Sequence, residues 1–106
     1  MVKRGEIWLA TLDPTLGAEI RKTRPALVVS PDDLNAILPL VTVAPLTSGG
    51  RAARFRVPVH FNGRDGLILA EQVRSVDKRR LVKHLGDVEA AALEQTLAIL
   101  QAIFAP

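Results

Sequence analysis

The chain has 106 residues, 48% of them hydrophobic and 24% charged, which is enough for one folded domain and excludes a disordered segment. It contains no cysteine, which excludes a disulfide scaffold, a thiolate nucleophile and any zinc site with Cys ligands. All 14 Lys and Arg residues, but only 8 of the 11 acidic ones, precede residue 85. This basic excess suits a polyanion such as a nucleic acid, the alternative being a basic surface that only confers solubility.

The first half of the chain predicts short strands separated by polar loops. The apolar segments 6–12, 26–30 and 40–46 each end near a proline, which favours strands over helices. Between them, residues 13–23 form a long polar loop. The Ser-Pro-Asp-Asp sequence that begins at Ser30 could also start a helical turn, with the serine as its cap.

The next segment shows the clearest period-two pattern of the chain. Apolar and polar side chains alternate over residues 54–61, as expected for a half-buried strand, and Pro58 indicates that this strand lies at a sheet edge. Asn62-Gly63 and Asp65-Gly66 are turn dipeptides, so we predict a hairpin that leads into residues 67–69.

The last third predicts more strands and then a helix. Residues 72–76 and 81–85 supply one or two strands, and Asp87 is a plausible N-cap for the segment that follows. Helical spacing there relates Leu93, Leu97, Leu100 and Phe104. We therefore expect one domain over residues 1–106, mainly β, built as a small curled antiparallel sheet or barrel that a C-terminal helix closes.

The ends and the apolar runs of the sequence bear on localisation. No apolar stretch follows the two basic residues near the N-terminus, so no secretory signal is predicted. The longest apolar run, 36–41, contains Pro39 and is too short to span a bilayer. We expect a cytoplasmic protein with no membrane partner.

Two loops at strand ends carry residue types that suit a phosphodiester. Residues 19–24 contain three basic side chains, and residues 47–50 read Thr-Ser-Gly-Gly. An arginine such as Arg24 binds two phosphate oxygens in a fork and keeps its charge at neutral pH. The alternatives are an ion pair of Arg24 with Glu19 or Glu71, and an ordinary hairpin turn at 47–50.

Motifs for other chemistries are absent from the sequence. There is no phosphate-binding loop of the form GxxxxGK[ST], no HExxH and no EF-hand pattern. His60 and His84 are far apart in the chain and have no neighbouring ligand residues, so we predict no metal site. There is also no G-x-S-x-G elbow, the motif that would indicate a catalytic serine.

Five short motifs follow one another along nearly the whole chain. They are RGEIW at 4–8, LDPT at 12–15 with Gly17 and Glu19, TRP at 23–25 with VVSP at 28–31, VAPLTS at 43–48, and EQVRS at 71–75. In this order they resemble the PemK/MazF family, the growth-inhibiting toxin endoribonucleases (mRNA interferases) of type II toxin–antitoxin modules. The resemblance implies a small SH3-like barrel with a C-terminal helix.

The resemblance also implies a reaction. Members of the family cut single-stranded RNA at a short sequence without metal or other cofactor, and the attacking group is the 2′-hydroxyl of the RNA itself. The products are a 2′,3′-cyclic phosphate and a 5′-hydroxyl. An enzyme of this kind needs only to orient that hydroxyl, move protons and stabilise the charged phosphorane.

Site residues are carried over by position. By this likeness Arg24 and Thr47 bind the scissile phosphate, and either Glu19 or Glu71 moves a proton. The predicted RNA-binding residues are Arg21, Lys22, Ser48, Arg51, Arg54, Arg56 and Gln72.

The family likeness further implies partners. We expect a homodimer and a cognate antitoxin whose disordered acidic tail covers the basic loops. Two other functions stay open from the sequence: a non-catalytic toxin of the same fold, similar to the CcdB inhibitors of DNA gyrase, and a plain RNA-binding barrel.

Overall fold

The computed structural model describes residues 1–20 and 22–106 and contains strands and helices in an order close to the predicted one. The strands are β1 (Glu6–Thr11), β2 (Thr23–Val28), β3 (Leu40–Thr47), β4 (Arg56–Phe61), β5 (Arg64–Leu69), β6 (Arg74–Asp77) and β7 (Leu81–Asp87). The helices are α1 (Asp32–Ile37) and α2 (Ala90–Phe104), and short 3-10 turns occupy Ala70–Gln72 and Lys78–Arg80. No helix of the described residues is long and apolar enough to cross a lipid bilayer.

The strands form one curled antiparallel sheet in the order β4-β5-β3-β2-β1-β7, and β6 pairs separately with β3. The curl arises at β3, whose first residues pair with β6 while Leu46 and Thr47 pair with β5. The sheet thus closes partly on itself as a half-barrel, which confirms the predicted fold class. Strand β4 lies at an edge, as Pro58 predicted.

Both faces of the curled sheet are buried along β2. Leu27 belongs to an apolar cluster that also contains Ile7 and Ile68, whereas Ala26 and Val28 face a second cluster around Val41, Val43 and Val76. Residues with this double burial form a continuous apolar run instead of an alternating one, which is the pattern at 26–30. Helix α2 covers the first cluster through Leu93, Leu97, Ile99 and Leu100.

The start of α2 differs from the prediction. The helix begins at Ala90 with Glu89 at the N-cap position, so Asp87 is not its cap. Asp87 is instead the last residue of β7, where it pairs with Glu6 across the sheet. At the other end of the helix, Phe104 is 73% exposed and does not continue the buried stripe.

Two turns also differ from the prediction. Asn62 and Gly63 both have positive φ, 52° and 74°, and make the β4–β5 hairpin turn, whereas Asp65-Gly66 lies inside β5. Ser30 does not cap α1, whose N-cap is Pro31. The Ser30 hydroxyl donates to the Asn35 Oδ1 at 2.5 Å and so fixes the buried amide of that helix.

Strand β2 begins three residues earlier than the sequence suggested. Thr23 and Arg24 are strand residues that pair with Thr11 and Ala10 of β1, so they are not part of a free loop. The backbone of Arg24 is therefore held by the sheet.

Candidate functional site

A cavity of about 400 Å³, called the basin here, opens where β2 and β3 meet the β4–β5 hairpin. Its floor includes apolar side chains of Leu46, Val59 and Phe61. The polar residues that line it are Lys22, Thr23, Arg24, Thr47, Ser48, Asn62, Arg64 and Asp65. The basin thus combines three basic side chains with three hydroxyl-bearing ones.

Arg24 and Thr47 lie near the ends of β2 and β3 that border the basin. The last paired residues of these two strands are Ala26 and Pro45, and Arg24 and Thr47 each lie two residues beyond this pair. Both side chains are half-buried and both line the basin. The cavity therefore contains a guanidinium and a hydroxyl from two neighbouring strands.

Thr47 is fixed by a close approach of β5. Its backbone pairs with Leu67, and a Cβ atom placed on Gly66 would lie 2.7 Å from the Thr47 carbonyl oxygen. Only glycine therefore fits at position 66 in this arrangement. The Thr47 Oγ1 accepts a hydrogen bond from the Gly49 N–H at 3.3 Å. Sequence reasoning missed Gly66 because the Asp-Gly pair resembled a turn.

A second cavity of about 220 Å³, called the cleft here, is lined by Glu19, Ile20, Pro45, Glu71, Gln72, Val73 and Arg74. Two side chains tie the 13–20 segment to this wall. The Gln72 Oε1 accepts from the Ile20 N–H at 2.8 Å, and the Arg74 Nη1 donates to the Leu12 carbonyl at 3.1 Å. Gln72 was predicted to bind RNA, but in this structure its side-chain oxygen bonds to the backbone of the protein's own loop.

Both cleft carboxylates are engaged. The Glu71 Oε2 accepts from the Arg56 Nη2 at 2.6 Å and from its Nε at 2.9 Å, and both side chains are about three-quarters buried. Arg56 also donates to the Arg51 carbonyl at 3.2 Å, which fastens the start of the 48–55 segment. The Glu19 Oε1 accepts from the Leu16 N–H at 2.8 Å.

The structure therefore divides the predicted site residues into two groups. Arg24, Thr47, Lys22 and Ser48 share the basin, and Glu19, Glu71 and Gln72 share the cleft on the other side of the Pro45–Leu46 peptide.

The remaining predicted residues lie elsewhere. Arg51 and Arg54 are exposed and line neither cavity, while Arg56 is held by Glu71. Arg21 lies outside the described residues. The basin contains three polar hairpin residues that the sequence reasoning did not select, Asn62, Arg64 and Asp65. Their only sequence signal was their position beside a turn.

The chemistry of the basin suits an anion that carries several oxygens. A guanidinium keeps its charge and presents several N–H groups in a fixed plane, and hydroxyl groups add neutral donors beside it. Lys22 and Arg64 extend the positive charge toward the rim. A phosphodiester chain that crosses this rim would meet cations on two sides.

Known proteins that are similar to this chain include toxins and endoribonucleases. The PemK-like, MazF-like toxin model of type II toxin–antitoxin systems matches residues 3–104. The chain is 40% identical to the endoribonuclease PemK of Escherichia coli, over 96% of this chain and 81% of that protein. It is 34% identical to the endoribonuclease EndoA of Bacillus subtilis (strain 168), over 97% of each chain.

Solved structures agree with the fold. The crystal structure of MazF from Deinococcus radiodurans superposes with a TM-score of 0.87 at 30% identity, covering 96% of this chain and 94% of that one. A MazE–MazF crystal structure from the same organism superposes with a TM-score of 0.80 at 26% identity, covering 98% of this chain and 95% of that one.

Proposed function

The chain belongs to the PemK-like, MazF-like toxin family of type II toxin–antitoxin systems and is an endoribonuclease, and we propose that it cuts RNA in the basin. The observation that carries the assignment is that Arg24 and Thr47, both half-buried, line the same basic cavity. This pair can bind the non-bridging oxygens of one phosphodiester.

The reaction uses a nucleophile of the substrate. The 2′-oxygen of the ribose attacks the adjacent phosphorus while the bond from phosphorus to the 5′-oxygen breaks. A base removes the 2′-hydroxyl proton and a proton reaches the leaving 5′-oxygen, which gives a 2′,3′-cyclic phosphate and a 5′-hydroxyl. Negative charge grows on the non-bridging oxygens, where the Arg24 guanidinium stabilises it and the Thr47 hydroxyl donates a hydrogen bond.

The two cleft acids differ in their suitability as the base. Glu71 holds Arg56 through two hydrogen bonds to one oxygen, so a change in its charge would disturb the wall of the cleft. Glu19 is exposed and accepts a hydrogen bond from the Leu16 backbone N–H. We assign the base to Glu19 and a positioning role to Glu71.

The rest of the RNA crosses the rim of the basin. Lys22, Ser48 and Arg64 line it, and the exposed Arg51 and Arg54 lie on the segment that follows Ser48. Recognition of a short single-stranded sequence fits this shape because unstacked bases can enter a cavity with apolar walls.

Control of the activity requires a partner. The MazE–MazF structure of Deinococcus radiodurans pairs a similar toxin with MazE. We propose that a cognate antitoxin with a disordered acidic tail covers the basin of this chain and competes with RNA phosphates for its cations.

We also propose a homodimer. Apolar side chains remain exposed at the end of α2, where Ile103 and Phe104 are 43% and 73% accessible, and Val82 on the edge strand β7 is 60% accessible. A second copy of the chain can cover such a surface. Light scattering at micromolar concentration tests this, and a monomeric mass would contradict it.

The cleavage chemistry is tested with the purified chain and a single-stranded RNA that carries many different short sequences. Cleavage should continue in excess EDTA, and mass spectrometry should find 2′,3′-cyclic phosphate and 5′-hydroxyl ends at one recurrent sequence. Products with 5′-phosphate ends, or activity only with added Mg²⁺, would overturn the proposed reaction.

A further inference from the structure

A second group of polar side chains lies where β1 pairs with β7. The β1–β7 pairing sets Glu6 opposite Asp87 and brings His84 opposite Trp8. No local pattern in the sequence connects these residues, because Glu6 and His84 are separated by most of the chain. Their side chains nevertheless converge on one point.

The imidazole Nε2 of His84 is the centre of this group. The Glu6 Oε2 lies 3.5 Å from it, and the Asp87 Oδ1 lies 3.6 Å from it. The carbonyl oxygen of Gly86 is 3.1 Å away from the same nitrogen. One carboxylate oxygen from each acid and the imidazole nitrogen all lie within 4.8 Å of one another.

Groups outside this cluster hold two of its members in place. The Glu6 Oε1 accepts from the Lys3 N–H at 2.7 Å and from the Trp8 Nε1 at 3.1 Å, which leaves Oε2 turned toward His84. The Trp8 and His84 rings stack with centroids 5.1 Å apart and planes 20° apart. Support of this kind, which fixes the orientation of each ligand, is characteristic of metal sites.

The spacing suits a transition-metal ion. Zinc binds imidazole nitrogen and carboxylate oxygen at about 2.0–2.2 Å, so a tetrahedral ion separates neighbouring ligand atoms by roughly 3.4 Å. The distances of 3.5 and 3.6 Å from the His84 Nε2 to the two carboxylates come close to that separation. One nitrogen and two carboxylate oxygens, with a nearby carbonyl, form a donor set that zinc accepts.

We propose that Glu6, His84 and Asp87 bind one divalent transition-metal ion of the zinc type. The neutral imidazole binds through Nε2 and the carboxylates neutralise the charge of the ion. This assignment differs from the expectation that the sequence holds no histidine metal site, and it is independent of the proposed cleavage reaction.

The position of the site indicates what the ion does. Glu6 begins β1, whereas the residues that pair with Arg24 and Thr23 end it, roughly 13 and 16 Å away at 3.3 Å per residue. An ion at Glu6 is therefore remote from the phosphate. It would join the edge strand β7 to β1, where the pairing contains two register shifts. Its role is to stabilise the sheet.

The second histidine provides an internal comparison. His60 lies 2.8 Å from the Asp65 carboxylate, but these side chains are 62% and 95% exposed and lie on the β4–β5 hairpin. A single exposed carboxylate does not make a three-ligand site. His60→Ala is thus a matched control that removes an imidazole beside an acid and leaves the proposed ligands intact.

The test is a titration of the full chain with Zn²⁺, followed by calorimetry and by the fluorescence of Trp8, the only tryptophan. Because Trp8 stacks on His84, an ion at Nε2 should change its emission, and Co²⁺ should quench it. We expect one ion per chain, an affinity at least tenfold weaker in Asp87→Asn, no binding in His84→Ala, and unchanged binding in His60→Ala. Zn²⁺ should also raise the unfolding temperature of the unmodified chain.

Three results would overturn the proposal. These are no saturable binding by the unmodified chain, binding that persists in His84→Ala with the fluorescence change intact, and binding that disappears in His60→Ala. Asp87→Asn changes an exposed side chain at a strand end, so it supplies a folded variant even if His84→Ala does not fold. RNA cleavage by Asp87→Asn should equal that of the unmodified chain, which separates this site from the basin.

Discussion

The basin and the cleft are lined by neighbouring residues of β3, Leu46 and Pro45, but differ in the charged groups that they contain. In the basin, basic side chains and hydroxyls line an open cavity of about 400 Å³. In the smaller cleft, Glu71, Gln72 and Arg74 bond to other parts of the protein. The difference suggests that the basin receives the phosphate and that Glu71, Gln72 and Arg74 of the cleft set the shape of the loops around it.

The largest expected effect is that of Arg24→Ala. Loss of a preorganised donor to the developing charge should lower the cleavage rate by about 10²–10³-fold while the fold is kept, since the Arg24 backbone stays paired with β1. Arg24→Lys should recover little, because an ammonium lacks the planar fork. Single-turnover cleavage and circular dichroism measure both.

The matched control is Arg79→Ala. Arg79 is a 90% exposed arginine that pairs with Asp77 and lines neither cavity. If a folded Arg24→Ala variant cleaved RNA at the same rate as Arg79→Ala, Arg24 would have no part in the cleavage reaction.

The second prediction concerns the close approach of β5 to Thr47. The added methyl group of Gly66→Ala meets the Thr47 carbonyl, so we expect it to lower the free energy of unfolding by about 1–3 kcal/mol. We also expect a fall in kcat, because Thr47 must shift. Gly49→Ala is the control, since a Cβ there has open space. Equal stability and activity of the two variants would show that β5 does not position Thr47.

A third prediction concerns the positive charge of the basin. An acidic peptide from the cognate antitoxin should inhibit competitively with RNA. Its inhibition constant should rise as the salt concentration increases from roughly 50 to 300 mM, because screening of exposed charges becomes strong over this range. Exposed cations on the basin rim give this salt dependence. A fluorogenic RNA measures it. Non-competitive inhibition that ignores salt would place the peptide on an apolar surface instead.

The smallest expected effect is that of Glu71→Gln. Its pair with Arg56 is partly buried, so we expect a loss of about 0.5–1 kcal/mol of stability and less than a tenfold loss of rate. Glu19→Gln should cost more activity and less stability, and should alter the pH–rate profile. If Glu71→Gln instead abolished cleavage in a folded protein, Glu71 would be a better candidate for the base than Glu19.

Local patterns in the sequence were sufficient for much of the fold. The alternation at 54–61, the Asn62-Gly63 turn and the helical spacing after residue 90 each depend on near neighbours. Features that depend on the register between strands could not be predicted from such local patterns. Asp87 resembled a helix cap, yet the shifted β1–β7 pairing extends the strand to it and opposes it to Glu6.

The candidate site likewise combines residues that local motifs reveal with features that only the folded structure shows. Arg24 and Thr47 were selected from their motifs, and the fold of the sheet places both in one cavity. Arg56 was expected to contact RNA because it is basic, but charge alone does not reveal that Glu71 is its neighbour. Gly66 carries no side chain to attract attention, and its importance lies in the distance between two backbones.

The burial of β2 on both faces has a consequence for how this toxin loses activity. Strands enclosed in this way exchange their amide hydrogens only when the whole domain opens, since no smaller unit can release them. Arg24 extends from that strand, and Ala26, Leu27 and Val28 are fully buried just after it. The Arg24 guanidinium, which we propose binds the scissile phosphate, is therefore attached to a strand that we expect to open only with the whole domain. Heat should then end cleavage only at temperatures that unfold the protein.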